Sequence, residues 1–183
     1  PVLTYGTYVG GSGIDHAQGL AVDGAGDMYI TGRTTSADFP IATLYDASQN
    51  GGRDAYLMKV NADGTLGYST YLGGALDDWG FQVTVDGSGQ THIAGGTFST
   101  DFPTPNGYDA SQNGSNDVFV AQLSTNGNSL QYSTYIGGSG IDLAYSVALD
   151  PIGDIVAVGE SQSADFPMVN ALYGTFGGGL DDG

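Results

Sequence analysis

One phrase occurs three times in this chain: YGTYVGG at Tyr5–Gly11, YSTYLGG at Tyr68–Gly74 and YSTYIGG at Tyr132–Gly138. Other markers keep the same spacing. Asp23, Asp86 and Asp150 each close a short apolar run, and SADFP, STDFP and SADFP begin at Ser36, Ser99 and Ser163. Asp23 to Asp86 is a step of 63 residues and Asp86 to Asp150 one of 64. A unit of this length that returns with its turns and aromatics intact requires a fold made by stacking one supersecondary element.

The odd residue in the second step lies between Asn61–Tyr68 (NADGTLGY) and Ser124–Tyr132 (STNGNSLQY). Hairpin turns absorb such insertions, so a tight turn is expected there. The 32 glycines carry no three-residue period and fall at recurring turn positions, while a hydrophobic content of 40% in 183 residues suits one folded domain.

Within a unit, short β-rich runs alternate with turn signals and no helical period is sustained. Leu20–Val22 leads through Asp23-Gly24-Ala25-Gly26 into Met28–Gly32, a hairpin of strands a and b. The hairpin returns as Val83–Val85 with His92–Ala94, and as Val147–Leu149 with Ile155–Ala157. A connection of about twenty residues follows, too long for a passive turn. It contains the DFP phrase and, in two units, YDASQNG at Tyr45–Gly51 and Tyr108–Gly114. Strand c comes next at Ala55–Val60 and Val118–Leu123, apolar on both alternating faces and so expected between layers. Strand d at Leu66–Leu72 ends in the double glycine. Its two tyrosines, Tyr68 and Tyr71, are an odd number apart and must point to opposite faces.

Four antiparallel strands make a sheet with two faces to cover, and radial stacking of identical sheets covers both. The expected fold is therefore all-β, a partial β-propeller of four-stranded antiparallel blades, about three in number with the last incomplete. Residues 1–183 form one repeat domain. A leading strand d occupies 1–11, the first blade 12–74, the second 75–138 and an incomplete third 139–183.

The succession Y-S-T-Y-L-G-G, G-x-D, A-V-D-x-x-G, T-G-x-T-x-S-x-D-F-P and G-G-x-D-A-Y resembles the bacterial β-propeller repeat abbreviated SBBP. The resemblance covers nearly all of the chain. It implies large exported or cell-surface proteins, usually described as seven-bladed propellers, with no common catalytic activity.

Eleven strands do not close a ring, and the terminal b edge and first d strand are expected to be open to pairing. The expected partners are the remaining blades of a longer chain or further copies of this one, joined by strand addition.

Charge restricts ligands. Twenty acidic residues stand against Arg33, Arg53 and Lys59, for a net charge of −17, and no basic patch exists from which a nucleic-acid site could be built. No apolar run reaches the ~18 residues of a membrane span, so no membrane insertion is expected. Cysteine is absent, which removes disulfides, thiolate metal sites and a thiol nucleophile.

Because strands alternate in direction, the d-to-a and b-to-c connections share one face. That face collects three sets of aspartates: Asp15, Asp78 and Asp142 after the double glycine; Asp38, Asp101 and Asp165 in the DFP phrase; Asp54, Asp117 and Asp181 before strand c. Two uses fit them. They cap turns through backbone N–H groups, or, with nearby carbonyl oxygens, they hold Ca²⁺. Asp23, Asp86 and Asp150 sit in D-x-x-G turns and read as turn chemistry. Phe39 and its copies read as loop anchors, with a sugar platform as the lesser alternative.

No nucleophile, base or metalloprotease pattern is present, and repeated carboxylates give every blade the same set, whereas a catalytic pair needs one asymmetric environment. The expected function is a non-catalytic, secreted or cell-surface scaffold or interaction module, with Ca²⁺ as the one candidate cofactor. The alternative is a carbohydrate-binding propeller that recognises cell-surface glycans.

Overall fold

The structure, a computed structural model, describes residues 5–177. These residues form ten strands and no helix. The first sheet runs β1 (Asp15–Val22), β2 (Met28–Thr34), β3 (Asp54–Val60) and β4 (Leu66–Leu72), each antiparallel to the next. The second repeats it as β5 (Asp78–Val85), β6 (Thr91–Thr97), β7 (Asp117–Leu123) and β8 (Leu130–Ile136). The third contains β9 (Asp142–Leu149) paired with β10 (Ile155–Ser161). The stack is an open partial propeller of four-stranded blades.

The hairpin turns form for a local reason. In each a–b turn one aspartate oxygen accepts two backbone N–H groups: Asp23 from Ala25 and Asp27, Asp86 from Ser88 and Gln90, Asp150 from Ile152 and Asp154, all at 2.8–3.0 Å. The glycine that closes each turn has φ near +90° (Gly26 +90°, Gly89 +87°, Gly153 +93°), a region an L side chain rarely enters. The D-x-x-G signal is turn chemistry.

Strand a is longer than its apolar run implies. It starts at Asp15, Asp78 and Asp142, five residues before the first apolar residue of each predicted run, and a bulge interrupts its pairing with strand b in every blade. The extra residue is Gln18 in the first blade, Phe81 in the second and Tyr145 in the third. Bulges kink and twist a strand and re-aim a side chain.

Sheets pack face to face around strand c, whose two faces are both covered, as its double apolarity requires. Ala55, Leu57, Tyr68 and Leu72 of the first blade meet Phe102, Phe119, Leu123 and Tyr135 of the second in one core cluster. Tyr56, Met58, Val60 and Tyr71 form a separate cluster on the opposite face. Tyr68 and Tyr71 thus point to opposite sides of one sheet. A third cluster, with Val118, Val120, Ala144 and Val147, joins the second blade to the third.

The long b–c connection covers the outer edge of its own sheet. Ala42 bridges Ser69, and Thr70 Oγ1 accepts the backbone N–H of Tyr45 and Asp46 at 3.1 and 2.7 Å. Thr134 Oγ1 accepts Asp109 N–H at 2.9 Å in the same way. An exposed strand edge is thereby closed to unwanted pairing.

The expected leading strand d differs from the structure. Tyr5–Gly11 carry no strand. In both complete blades strand d is held by strand c of its own sheet, and no strand c lies beside Tyr5–Gly11 among the described residues. The segment nevertheless keeps a strand d's position against the next blade. The Tyr5 ring lies over Gly64, where a Cβ would come within 2.9 Å of it, just as Tyr68 lies over Gly127 one blade later. Val9 packs on the Tyr56–Tyr71 cluster, while Tyr8, the counterpart of Tyr71, is fully exposed.

Candidate functional site

The loop face is organised by one network, built three times. Where strand d ends, the second glycine donates its N–H to the aspartate that opens strand a: Gly11 to Asp15 at 2.9 Å, Gly74 to Asp78 at 2.8 Å and Gly138 to Asp142 at 2.8 Å. The next residue donates to the DFP aspartate: Ser12 to Asp38 at 2.8 Å, Ala75 to Asp101 at 2.9 Å and Ser139 to Asp165 at 2.9 Å. A buried serine completes the latch. Ser36, Ser99 and Ser163 each donate to the strand-a aspartate and accept the N–H of Gly13, Leu76 and Gly140 respectively.

The double glycine follows from this close approach. A Cβ on Gly73 would lie 2.8 Å from Asp78 Oδ2 and 2.9 Å from Asp54 Cγ, and one on Gly74 would lie 2.4 Å from Asp101 Oδ1. Only glycine leaves room for three carboxylates around the turn.

The third set is engaged as well. Asp54 accepts Asn50 N–H at 2.9 Å, and Asp117 accepts Asn113 N–H at 2.9 Å. Asp181 lies outside the described residues.

The carboxylates are electrostatically unequal. Asp54, Asp78, Asp117 and Asp142 are fully buried. Desolvation pushes Asp78 up to about 7 against the hydrogen bonds of Thr97, Gly74 and Ser99, and pushes Asp54 up to about 6 against those of Asn50 and Gly51. Burial raises Asp117 too. Asp38 and Asp165 are held below the usual range by the backbone N–H and hydroxyl of Ser12 and Ser139. The groups around these oxygens are N–H and O–H donors, which suits turn capping. Among the described residues no three acidic or histidine side chains gather where they could hold one metal ion.

Sequence reasoning named the aspartates and passed over their partners. The latch serines and the strand-d threonines Thr70 and Thr134 recur in register with the aspartates, and that recurrence was the available signal. Phe39 and Phe102 are 3% exposed and stack on Tyr56 and Phe119 at 4.5 and 4.6 Å, so they anchor their loops and offer no sugar platform. His92 is buried in strand b.

A second group of side chains differs from blade to blade. Along the a strands, which lie side by side, the Phe81 and Tyr145 rings meet at 5.2 Å, and Trp79 contacts Phe81 and Phe98 at 6.2 and 5.2 Å. The Arg33 guanidinium lies 5.2 Å from the Trp79 ring centre. Lys59 pairs with Asp27 at 2.7 Å and Arg53 with Asp77 at 2.8 Å. The equivalents of Trp79 are His16 and Leu143, and those of Arg33 are Gly96 and Glu160, so individuality among the blades gathers here.

No curated protein matches the chain. The family model of the SBBP beta-propeller repeat matches residues 4–40, a span that runs from the first YGTYVGG phrase through strands a and b to the DFP phrase and so takes in one whole latch. This segment, whose phrases return twice further along, is similar to the beta-propeller repeat of the SBBP family.

Proposed function

We propose that the chain is a non-catalytic scaffold or interaction module of an exported, surface or extracellular protein, and that it assembles through its open blade edges. The observation that carries this reading is the contrast between two copies of strand b. β6 is buried along its whole length between β5 and β7, whereas β10, among the described residues, pairs with β9 alone and exposes Val156, Ala157 and Val158. An exposed, apolar sheet edge is a pairing site. The loop-face carboxylates support the non-catalytic part, because the strand-a and DFP aspartates of all three units are engaged in holding the turn that follows the double glycine. Export rests on the resemblance of the repeats. Sedimentation velocity over a wide concentration range tests assembly: reversible association that grows with concentration is expected, and a monomer throughout would refute it.

Carbohydrate binding is a second reading, favoured by the partly exposed aromatic group of Trp79, Phe81 and Tyr145. A glycan array should then give saturable binding that Trp79→Ala abolishes; an array with no saturable signal removes this reading. Stiffening by Ca²⁺ is a separate proposal. It requires a melting temperature that rises with Ca²⁺ and falls with EDTA, and an unchanged value in both sinks it.

A further inference from the structure

Two of the three basic side chains in this acidic chain are neutralised by carboxylates: Arg53 by Asp77 at 2.8 Å and Lys59 by Asp27 at 2.7 Å. Arg33 has no carboxylate within ion-pair distance among the described residues. What it has is the Trp79 ring, whose centre lies 5.2 Å from the guanidinium. A ring face holds a guanidinium in place without cancelling its charge. Two N–H donors of this pair, Arg33 Nε and Trp79 Nε1, are buried and have no hydrogen-bond partner. Arg33 itself is partly exposed, so the fork of its two Nη groups is left for an acceptor.

Packing between blades does not require this pair. Thr31 and Arg33, two apart on β2, face the second blade, where Thr31 lies against Gly80. At the next joint the positions of Arg33 and Trp79 are taken by Gly96 and Leu143, and Leu143 sits so close over Gly96 that a Cβ there would collide with it. That joint is filled by an apolar contact with no charge to desolvate, whereas the first joint carries a charge and a large ring. Trp79 also meets Phe98 and Phe81 edge-on at 5.2 and 6.2 Å, and all three rings are partly exposed, so an aromatic wall stands beside the guanidinium. His16 pairs with Arg33 in the sheet register, stands on the same face and is exposed.

We propose that this joint between the first two blades binds a carboxylate-bearing sugar, a uronate or ulosonate, at the end of an otherwise neutral glycan. The guanidinium fork takes the carboxylate through two parallel N–H bonds. The C–H face of the sugar lies on the aromatic wall, and His16 meets its hydroxyls. One unpaired cation in a chain of net charge −17 accepts one carboxylate and disfavours densely charged polymers, whose other charges meet only repulsion.

This assignment rests on the carbohydrate reading of the same aromatic group and names its sugar class. Trp79 is the single tryptophan of the chain, so its fluorescence reports on this site alone. The full chain is titrated with sialyllactose and methyl glucuronide, beside lactose and methyl glucoside as uncharged counterparts and sodium acetate as the bare carboxylate. A saturable change is expected with the two acidic sugars, with binding at least ~10-fold weaker for the neutral sugars, for acetate and for the acidic sugars on Arg33→Gln. Arg33→Gly combined with Trp79→Leu copies the second joint; followed by calorimetry, it should keep its melting temperature and lose the acidic sugars. Acidic sugars that still bind this double variant, or polygalacturonate that binds more tightly per sugar than methyl glucuronide, overturn the proposal. Neutral sugars that bind as tightly as acidic ones, with Arg33→Gln unaffected, also overturn it and leave the carbohydrate reading standing. Acetate that binds as tightly as the acidic sugars, or no binding of any sugar, removes both.

Discussion

The buried carboxylates make a pH dependence that runs opposite to ordinary acid denaturation. Burial pushes Asp78 up to about 7 in the folded chain, against about 3.9 for an aspartate free in water. A carboxyl raised in this way binds its proton more tightly in the folded than in the unfolded chain. Its contribution to stability is therefore complete below the unfolded value and is lost as pH rises through the folded one. Between those limits the loss for Asp78 is about 4 kcal/mol, of which about 3 kcal/mol falls between pH 4.5 and 8. Asp54, raised to about 6, acts in the same direction, and so does the mounting self-repulsion of a chain with net charge −17. Asp38 and Asp165, held below the usual range, lose their contribution only as pH falls through their lowered values, so they do not reverse the slope above pH 4.5, whereas His92, which burial holds below its ordinary value, opposes the fall in the acid half of the window. Urea unfolding at a series of pH values reads the effect. With a slope of about 2 kcal/mol/M, Asp78 alone should lower the midpoint by about 1.5 M between pH 4.5 and 8, and Asp54 adds to the fall. Asp78→Asn, which holds the site neutral, should remove about 1.5 M of it. A midpoint that rises over this range, or an Asn variant with the wild-type slope, would refute the reasoning.

Three further outcomes follow from the latch and the turns. Gly74→Ala forces a Cβ to within 2.4 Å of Asp101 Oδ1 and 2.7 Å of Ser99 Cβ and should cost about 2–3 kcal/mol in chemical unfolding. Gly89→Ala meets nothing closer than 3.8 Å and keeps only the strain of φ +87°, so about 1 kcal/mol is expected; equal losses at the two glycines would contradict the crowding argument. Tyr71→Phe removes a buried donor from the Ser36 carbonyl, which retains only a 3.4 Å contact from Phe39 N–H, and should cost about 1–2 kcal/mol.

The architecture was legible because it is written three times. Strand d at Leu66–Leu72 and the D-x-x-G turns could be placed from spacing and turn residues alone. The early start of strand a was hidden, since Asp15-His16-Ala17-Gln18-Gly19 has neither alternation nor β-branched residues. Its ladder is held by the latch and by the neighbouring blade, and no local propensity announces that. The bulges at Gln18, Phe81 and Tyr145 were hidden for the same reason. Of the candidate site, the aspartates were visible as residues, but their burial was not: no local feature of the sequence shows that strand c and the double glycine enclose Asp54 and Asp78. Tyr5–Gly11 shows the converse limit, a strand-like phrase that forms no strand where no strand c lies beside it among the described residues.

The latch also bears on how such chains grow. All of its side chains belong to the blade that follows the double glycine, while the glycines themselves end the blade before. A tandem duplication that begins at the YSTYLGG phrase therefore carries a complete lock and needs no compensating change in its neighbour. Each new copy arrives with the means to fasten the preceding strand, and the number of copies can drift without the joint between them being reinvented. Selection is then free to act on the few positions near Trp79 and Arg33, where the copies already differ.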